Sequence, residues 1–274
     1  ALVVDPGYPS YPRCCALEGV AVRAVRARPE DGFRIHADAL IEALTPATRL
    51  IALGSPANPS GAVFGIEDIH TLARKLNMRS GEPVYVLVDE VYRELCFGDN
   101  VPFRSLASTY EHTIVVQSLS KSCALTGLRL GFLIGPEDII GPATRAHTLM
   151  FMSTSVPAQR AAIEILREPE TLRAHVPWYV RQRAAMLDAA RQSGVDVIEP
   201  DGAFYTMVRL PDRWRNDSTA GALALLEEFD VVTVAGSVFG SGAEGWIRVT
   251  WAAPEPDVRE GMSRIGGFLR KHRS

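Results

Sequence analysis

Strand-like and helix-like segments alternate along the first 155 residues, and the alternation predicts an α/β fold: a mostly parallel sheet with helices on both faces. Val84-Tyr-Val-Leu-Val88 adds a second observation, because a continuous apolar run suits a parallel strand covered on both sides. The third is a change of character beyond residue 155, where a long helical pattern gives way to mixed strands and helices. The expected organisation is a major domain over 1–155 and a smaller α+β C-terminal domain over 156–274 that includes a long linking helix.

Taken in order, Ala1-Leu-Val-Val4 reads as a buried strand ending in the turn signal Asp5-Pro-Gly7. It lacks an initiating methionine and starts inside its own sheet, so the major domain is expected to be incomplete at its N-terminus. Residues 20–25 read as a strand and 36–44 as a short helix. Arg49-Leu-Ile-Ala-Leu53 reads as a buried strand running into Gly54-Ser-Pro-Ala-Asn-Pro-Ser-Gly61. Ile69, Leu72, Ala73 and Leu76 recur at helical spacing within 67–77. The Val84 strand ends in Asp89-Glu-Val-Tyr92, and strands are expected at 113–117 and 128–134. Pro136 and Gly141-Pro142 punctuate the end of that section. A helical pattern over 158–190 is interrupted at Pro169 and Pro177. Strands then follow at 195–198, 203–210, 231–234 and 246–251, with helices at 218–229 and 257–269.

With 274 residues, 47% of them hydrophobic, the chain has ample material for a packed core. A net charge of -3 offers no basic footprint for nucleic acid and no polybasic face for a membrane. No apolar run reaches the roughly 18 residues of a spanning helix, and no signal segment opens the chain. Cys14, Cys15, Cys96 and Cys123 have no metal-ligand spacing, and the six histidines are scattered. The expectation is free thiols in a reducing, cytoplasmic compartment and no metal site.

In an open parallel sheet, chemistry gathers beyond the carboxyl ends of the strands. That rule brings together Asn58, Asp89, Tyr92, Ser118, Lys121 and Arg129, each in or beside a loop after a predicted strand. Singly, Asp89 reads equally well as a helix cap, Asn58 as a turn residue and Arg129 as a surface residue. Lys121 is the informative member. A lysine held between buried strands loses solvation, its pKa falls, and a neutral amine is a nucleophile toward carbonyls. A lysine beside an acidic partner for a pyridine nitrogen is the pairing that pyridoxal phosphate uses.

At this point the chain resembles the class I/II aminotransferases among the fold-type I pyridoxal-phosphate enzymes. The resembling motifs run in family order: Tyr8-Pro-Ser-Tyr-Pro12, Ser55-Pro-Ala-Asn-Pro-Ser-Gly61, Asp89-Glu-Val-Tyr92, Ser118-Leu-Ser-Lys121 with Gly127-Leu-Arg-Leu-Gly131, Gly202-Ala-Phe-Tyr205, and Phe239-Gly240 leading to Trp246-Ile-Arg-Val249. The resemblance implies that Lys121 forms the Schiff base with the cofactor and then moves the substrate's α-proton. Asp89 would keep the pyridine nitrogen protonated. Tyr92 and Asn58 would hydrogen-bond the ring's phenolic oxygen, Ser118 and Arg129 would hold the phosphate, and Tyr8 would stack on the ring or serve only in packing. Arg248 would clamp the substrate α-carboxylate.

The implied reaction moves an amino group between an amino acid and a 2-oxo acid by a ping-pong route, in a homodimer. Two alternatives share the same cofactor cage: a lyase, and a non-catalytic effector-sensing domain of a transcriptional regulator. Family members also carry a substantial region before the Tyr8 motif, including a helix N-terminus that cradles the phosphate. Nothing in the sequence selects the donor amino acid. Gly240-Ser-Gly-Ala-Glu-Gly245 matches GxGxxG, but a strand is expected to follow it where a dinucleotide site needs a helix, so it reads as a glycine-rich turn.

Overall fold

A computed structural model describes residues 1–97 and 103–273. Up to residue 134 the chain builds β1 (Leu2–Asp5), α1 (Ser10–Leu17), β2 (Arg23–Arg26), α2 (Ala37–Glu42), β3 (Leu50–Gly54), α3 (Ile66–Asn77), β4 (Tyr85–Asp89), β5 (Thr113–Ser118), α4 (Leu119–Ser122) and β6 (Gly131–Ile134). Strands β1 to β6 form one sheet in the order β2-β1-β3-β4-β5-β6. All its pairings are parallel except that of β5 with the edge strand β6. The chain leaves β1 toward β2 on one side and continues through β3, β4 and β5 on the other. Loops after β1, β3, β4 and β5 therefore open on one edge, beside the point where strand order reverses.

Apolar residues of β1, β3 and β4 share one core with α2 and α3; Leu40, Ile51 and Leu72 are fully buried in it. Helix α3 is held there by Ile69, Leu72, Ala73 and Leu76, and its charges suit its dipole, with Glu67 and Asp68 in the first turn and Arg74 and Lys75 in the last.

Helices α5 (Glu137–Phe151), α6 (Val156–Arg167) and α7 (Val176–Ser193) come next. A second, antiparallel sheet of order β7-β9-β8 follows, from β7 (Tyr205–Arg209), β8 (Val234–Ala235) and β9 (Trp246–Thr250), with α8 (Ser218–Phe229) and α9 (Glu255–Lys271). Trp251, Phe268, Met186 and Ile247 lie in its core, which also takes in Tyr92, Leu95 and Phe97 from the stretch after β4. Backbone bonds fasten this join: Ala203 donates to the Leu95 carbonyl at 2.9 Å and Gly202 to the Gly61 carbonyl at 2.8 Å. Residue 202 must be glycine, because a Cβ there would lie 2.6 Å from the Pro56 ring.

Several elements differ from the sequence expectation. Helix α5 runs through Gly141 and Pro142, which were expected to end the section; Glu137 and Asp138 favour its first turn, and none of its residues is buried. Gly141-Pro142 in α5 and Pro12 in α1 read in the sequence as breaks, so neither helix was expected. The 158–190 pattern is two helices, and Pro177 sits in the first turn of α7, where its missing N–H costs nothing. The strand expected at 128–134 is shortened to β6, because residues 126–128 form a 3-10 turn and Arg129 takes a left-handed conformation at φ 53°. The strand at 195–198 reduces to one bridge between Val197 and Val208, and the one at 231–234 to the two residues of β8.

Candidate active site

A cavity of about 460 Å³ opens where the loops after β1, β3, β4 and β5 meet β7 and β9. Its wall includes all eight residues singled out in the sequence: Tyr8, Asn58, Asp89, Tyr92, Ser118, Lys121, Arg129 and Arg248.

Lys121 rides on α4, a single turn whose flanking side chains Leu119 and Ser122 are buried and hold it against the sheet. Ser118 caps that turn. Its hydroxyl accepts from the Ser120 N–H at 3.0 Å and donates to the Leu130 carbonyl at 2.9 Å. Lys121 Nζ makes no hydrogen bond or ion pair among the described residues, and it lies 5.6 Å from the Phe204 ring centre and 5.8 Å from that of Tyr92. Burial, reinforced by the cations Arg129 and Arg248, holds its pKa below the ordinary lysine range, with Asp89 pulling weakly the other way.

Asp89 closes β4, and both its oxygens are engaged. Oδ2 accepts from the Tyr11 hydroxyl at 2.9 Å and Oδ1 from the Val91 N–H at 3.2 Å. Burial pushes its pKa up, and the two hydrogen bonds and Lys121 pull it back toward the ionised form. Tyr11, itself raised by burial and by Asp89, is a site residue that the sequence reading did not select. It belongs to the same Tyr8-Pro-Ser-Tyr-Pro12 motif as Tyr8, and the start of α1 turns its phenol inward. Tyr8 is 41% exposed and meets the Tyr11 ring edge-on at 5.6 Å.

On the opposite wall Arg248, from β9, donates through Nη1 to Asn58 Oδ1 at 2.9 Å, joining residues 190 positions apart. Its guanidinium lies 4.2 Å from the Tyr205 ring centre and 4.9 Å from that of Phe239. Its Nε is buried with no hydrogen-bond partner among the described residues. Tyr92, pushed up by burial, donates to the Tyr205 hydroxyl at 3.2 Å. Arg129 is exposed at the rim and donates to the Thr126 carbonyl at 3.0 Å. Ser120, also unselected by sequence, joins the wall between Ser118 and Lys121.

The glycine-rich segment 240–245 is a turn leading into β9, as its sequence context indicated. It wraps the carboxylate of Asp5 and takes no part in a strand-to-helix junction.

Removing the Tyr11 hydroxyl tests the Asp89 clamp. A hydrogen bond to a buried carboxylate contributes about 1.5–3 kcal/mol, so Tyr11→Phe is expected to lower kcat about tenfold while the fold persists. A kcat within about twofold of wild type would remove Tyr11 from the chemistry.

Around one cavity the arrangement offers an amine and a buried guanidinium N–H, neither with a partner among the described residues, and a held carboxylate, and comparison with known proteins agrees with it. A family model for aminotransferase class I and II matches residues 1–265. A probable N-acetyl-LL-diaminopimelate aminotransferase of Bacillus subtilis is 33% identical over 98% of this chain and 67% of its own length. Aromatic-amino-acid aminotransferase 2 of Thermococcus litoralis is 30% identical over 98% of this chain and 70% of its own. Among solved structures, the Pyrococcus protein-A1 superposes with a TM-score of 0.90 at 30% identity, covering 98% of this chain and 70% of that one. On this evidence the chain belongs to the class I and II aminotransferases, enzymes of the fold-type I architecture that depend on pyridoxal phosphate.

Proposed function

We propose that this cavity carries out amino-group transfer between an amino acid and a 2-oxo acid, with the eight residues in the roles their positions suit. The observation that carries the assignment is the convergence of Lys121, Asp89, Asn58 and Arg248, from four separate segments, on one cavity. The donor set fits pyridoxal phosphate. Lys121 offers an amine with no partner among the described residues, Asp89 a buried carboxylate fixed in place by Tyr11 and the Val91 N–H, and Arg248 a buried N–H with no partner among them.

Bound pyridoxal phosphate supplies an aldehyde carbon for the amine and a ring that takes up the electrons left at the substrate α-carbon. Lys121 Nζ, its pKa lowered by burial and neighbouring cations, accepts and returns the α-proton. Asp89 holds a proton on the ring nitrogen, and Tyr11 fixes the angle of its carboxylate. Tyr92 and Asn58 present a hydroxyl and an amide to the ring oxygen, and Tyr8 covers a ring face. Arg129 supplies the charge for the phosphate. Ser118 can join it only by giving up its bond to Leu130, which makes Ser120 the better-placed hydroxyl. Arg248 orients the substrate through its carboxylate.

The same reading divides the chain at 155/156, ahead of α6, and places the protein in the cytoplasm as a homodimer. Its four cysteines are free, no helix among the described residues is long and apolar enough to cross a membrane, and Leu149, Met150, Phe151 and Met152 form an exposed apolar run suited to a covering surface.

The named relatives act on chemically different donors at similar identity, so the donor is found by assay. Cofactor-loaded protein is mixed with single amino acids and its visible spectrum followed. At least one donor is expected to bleach the spectrum, and that donor's 2-oxo acid, or another, to restore it. Bleaching with release of ammonia or carbon dioxide would indicate a lyase, and no change with any donor a sensing role.

A further inference from the structure

Tyr205 touches both ends of the site. It is the first residue of β7, 8% exposed, and it stands opposite Thr250 of β9, two residues from Arg248. Side chains two apart on a strand share a face, so the antiparallel pairing places the Tyr205 ring and the Arg248 guanidinium side by side, 4.2 Å apart. The Tyr205 hydroxyl accepts from Tyr92 at 3.2 Å, and the two rings meet edge-on with centres 5.9 Å apart. One side chain therefore supports the cation and engages the phenol.

We propose that Tyr205 is a positioning residue that couples the carboxylate end of the site to the Tyr92 end, its ring supporting Arg248 and its hydroxyl forming a reversible relay with Tyr92. The proposal rests on the assignment of Arg248 to the substrate carboxylate and of Tyr92 to the cofactor's ring oxygen. With no ligand oxygen in reach, Tyr92 spends its proton on Tyr205. When such an oxygen is present, Tyr92 turns its O–H toward it, and Tyr205 reverses to donate to the Tyr92 oxygen. Chained donors polarise one another, so Tyr92 is then a stronger donor than it would be alone. A carboxylate on Arg248 neutralises the cation 4.2 Å from the Tyr205 ring, and the relay weakens because that positive charge no longer polarises the Tyr205 O–H as a donor. The occupied clamp is thus felt at Tyr92 through one side chain.

Two substitutions separate ring from hydroxyl. Tyr205→Phe keeps the ring, and Tyr205→Leu removes both. The probes are 3-phenylpropionate and maleate, binding is measured by calorimetry on cofactor-loaded protein, and the pH midpoint of the bound cofactor's visible absorbance is measured with and without saturating probe. Tyr205→Phe is expected to bind the better probe within about threefold of wild type. It should also raise the resting midpoint by roughly half a unit and shrink the probe-induced change in midpoint by at least about half. Tyr205→Leu is expected to lose about tenfold in probe affinity.

A Tyr205→Phe protein with a wild-type melting temperature, midpoint and probe-induced change would overturn the relay. If Tyr205→Leu fails to fold, the Tyr205→Phe arm decides alone. Arg248→Gln separates the two levels of inference: unchanged probe affinity in that variant means the carboxylate assignment itself is wrong. Lost affinity there, with wild-type affinity in Tyr205→Leu, means that only the coupling through Tyr205 is wrong.

Discussion

Lys121→Ala is expected to lose the visible absorbance of the bound cofactor and to lower transamination by about 10³-fold or more, since it removes both the nucleophile and the proton carrier. The fold should survive, because the turn that bears Lys121 is pinned by Leu119 and Ser122 and capped by Ser118, none of which depends on the amine. The amine's ionisation gives a second readout that needs no turnover. Its pKa is lowered by burial, then by Arg129 and Arg248, so in cofactor-free protein the neutral form exists at lower pH than for an ordinary lysine. Acylation by acetic anhydride, located by mass spectrometry across a pH series, should reach half its maximum at Lys121 below the pH required by a blocked lysine model peptide. Replacing Arg129 with Gln removes one of the two cations and should move the Lys121 profile back upward. A Lys121 profile coinciding with that of the model peptide would refute the depressed pKa. A cofactor spectrum unchanged in Lys121→Ala would refute the lysine assignment.

What the sequence disclosed about this site follows from where the residues sit. Asn58, Asp89, Ser118 and Lys121 all lie just beyond apolar runs, and the parallel pairing of β3, β4 and β5 carries all of them to one edge. Arg248 was legible only through the resemblance, since nothing local marks an arginine on a short antiparallel strand as aimed at a cavity. Tyr11 and Tyr205 were quoted within motifs and given no role. Their partners stand 78 and 113 residues away, and a hydrogen bond at that separation leaves no local pattern. Ser118 shows the converse. The resemblance implied a phosphate ligand there, and the hydroxyl also caps the turn that carries the lysine, a role its sequence position did not announce. At the level of elements, α3 was plain from its apolar stripe, whereas Pro12 and Gly141-Pro142 read as breaks and concealed α1 and α5.

The second large effect is expected at Asp5, outside the catalytic set. Its buried carboxylate accepts from the Gly242 N–H at 2.8 Å and the Ser241 hydroxyl at 3.0 Å, with Arg26 3.6 Å away. Nearby, the Gly7 N–H donates to the Phe239 carbonyl at 2.9 Å. These bonds tie the end of β1, which leads to Tyr8 and Tyr11, to the segment that carries Phe239 and leads into β9 with Arg248. The match is close enough to dictate the glycine: residue 240 has φ 127°, and a Cβ there would fall 2.1 Å from Asp5 Oδ1. Hydrogen bonds to a buried carboxylate contribute about 1.5–3 kcal/mol each, and part of that is recovered when water reaches the loop. Asp5→Ala should therefore cost roughly 2–4 kcal/mol, lowering Tm by about 5–15 °C. Gly240→Ala should fall in the same range, because it forces the carboxylate out and strains the backbone together. Both changes act on one contact, so the double variant should lose clearly less than the sum of the single losses. Since the contact also sets the Phe239 side of Arg248, substrate KM should rise in both single variants even at temperatures where they are fully folded. Additive losses in Tm, or a wild-type KM in folded Asp5→Ala, would show that the loop and the clamp are independent.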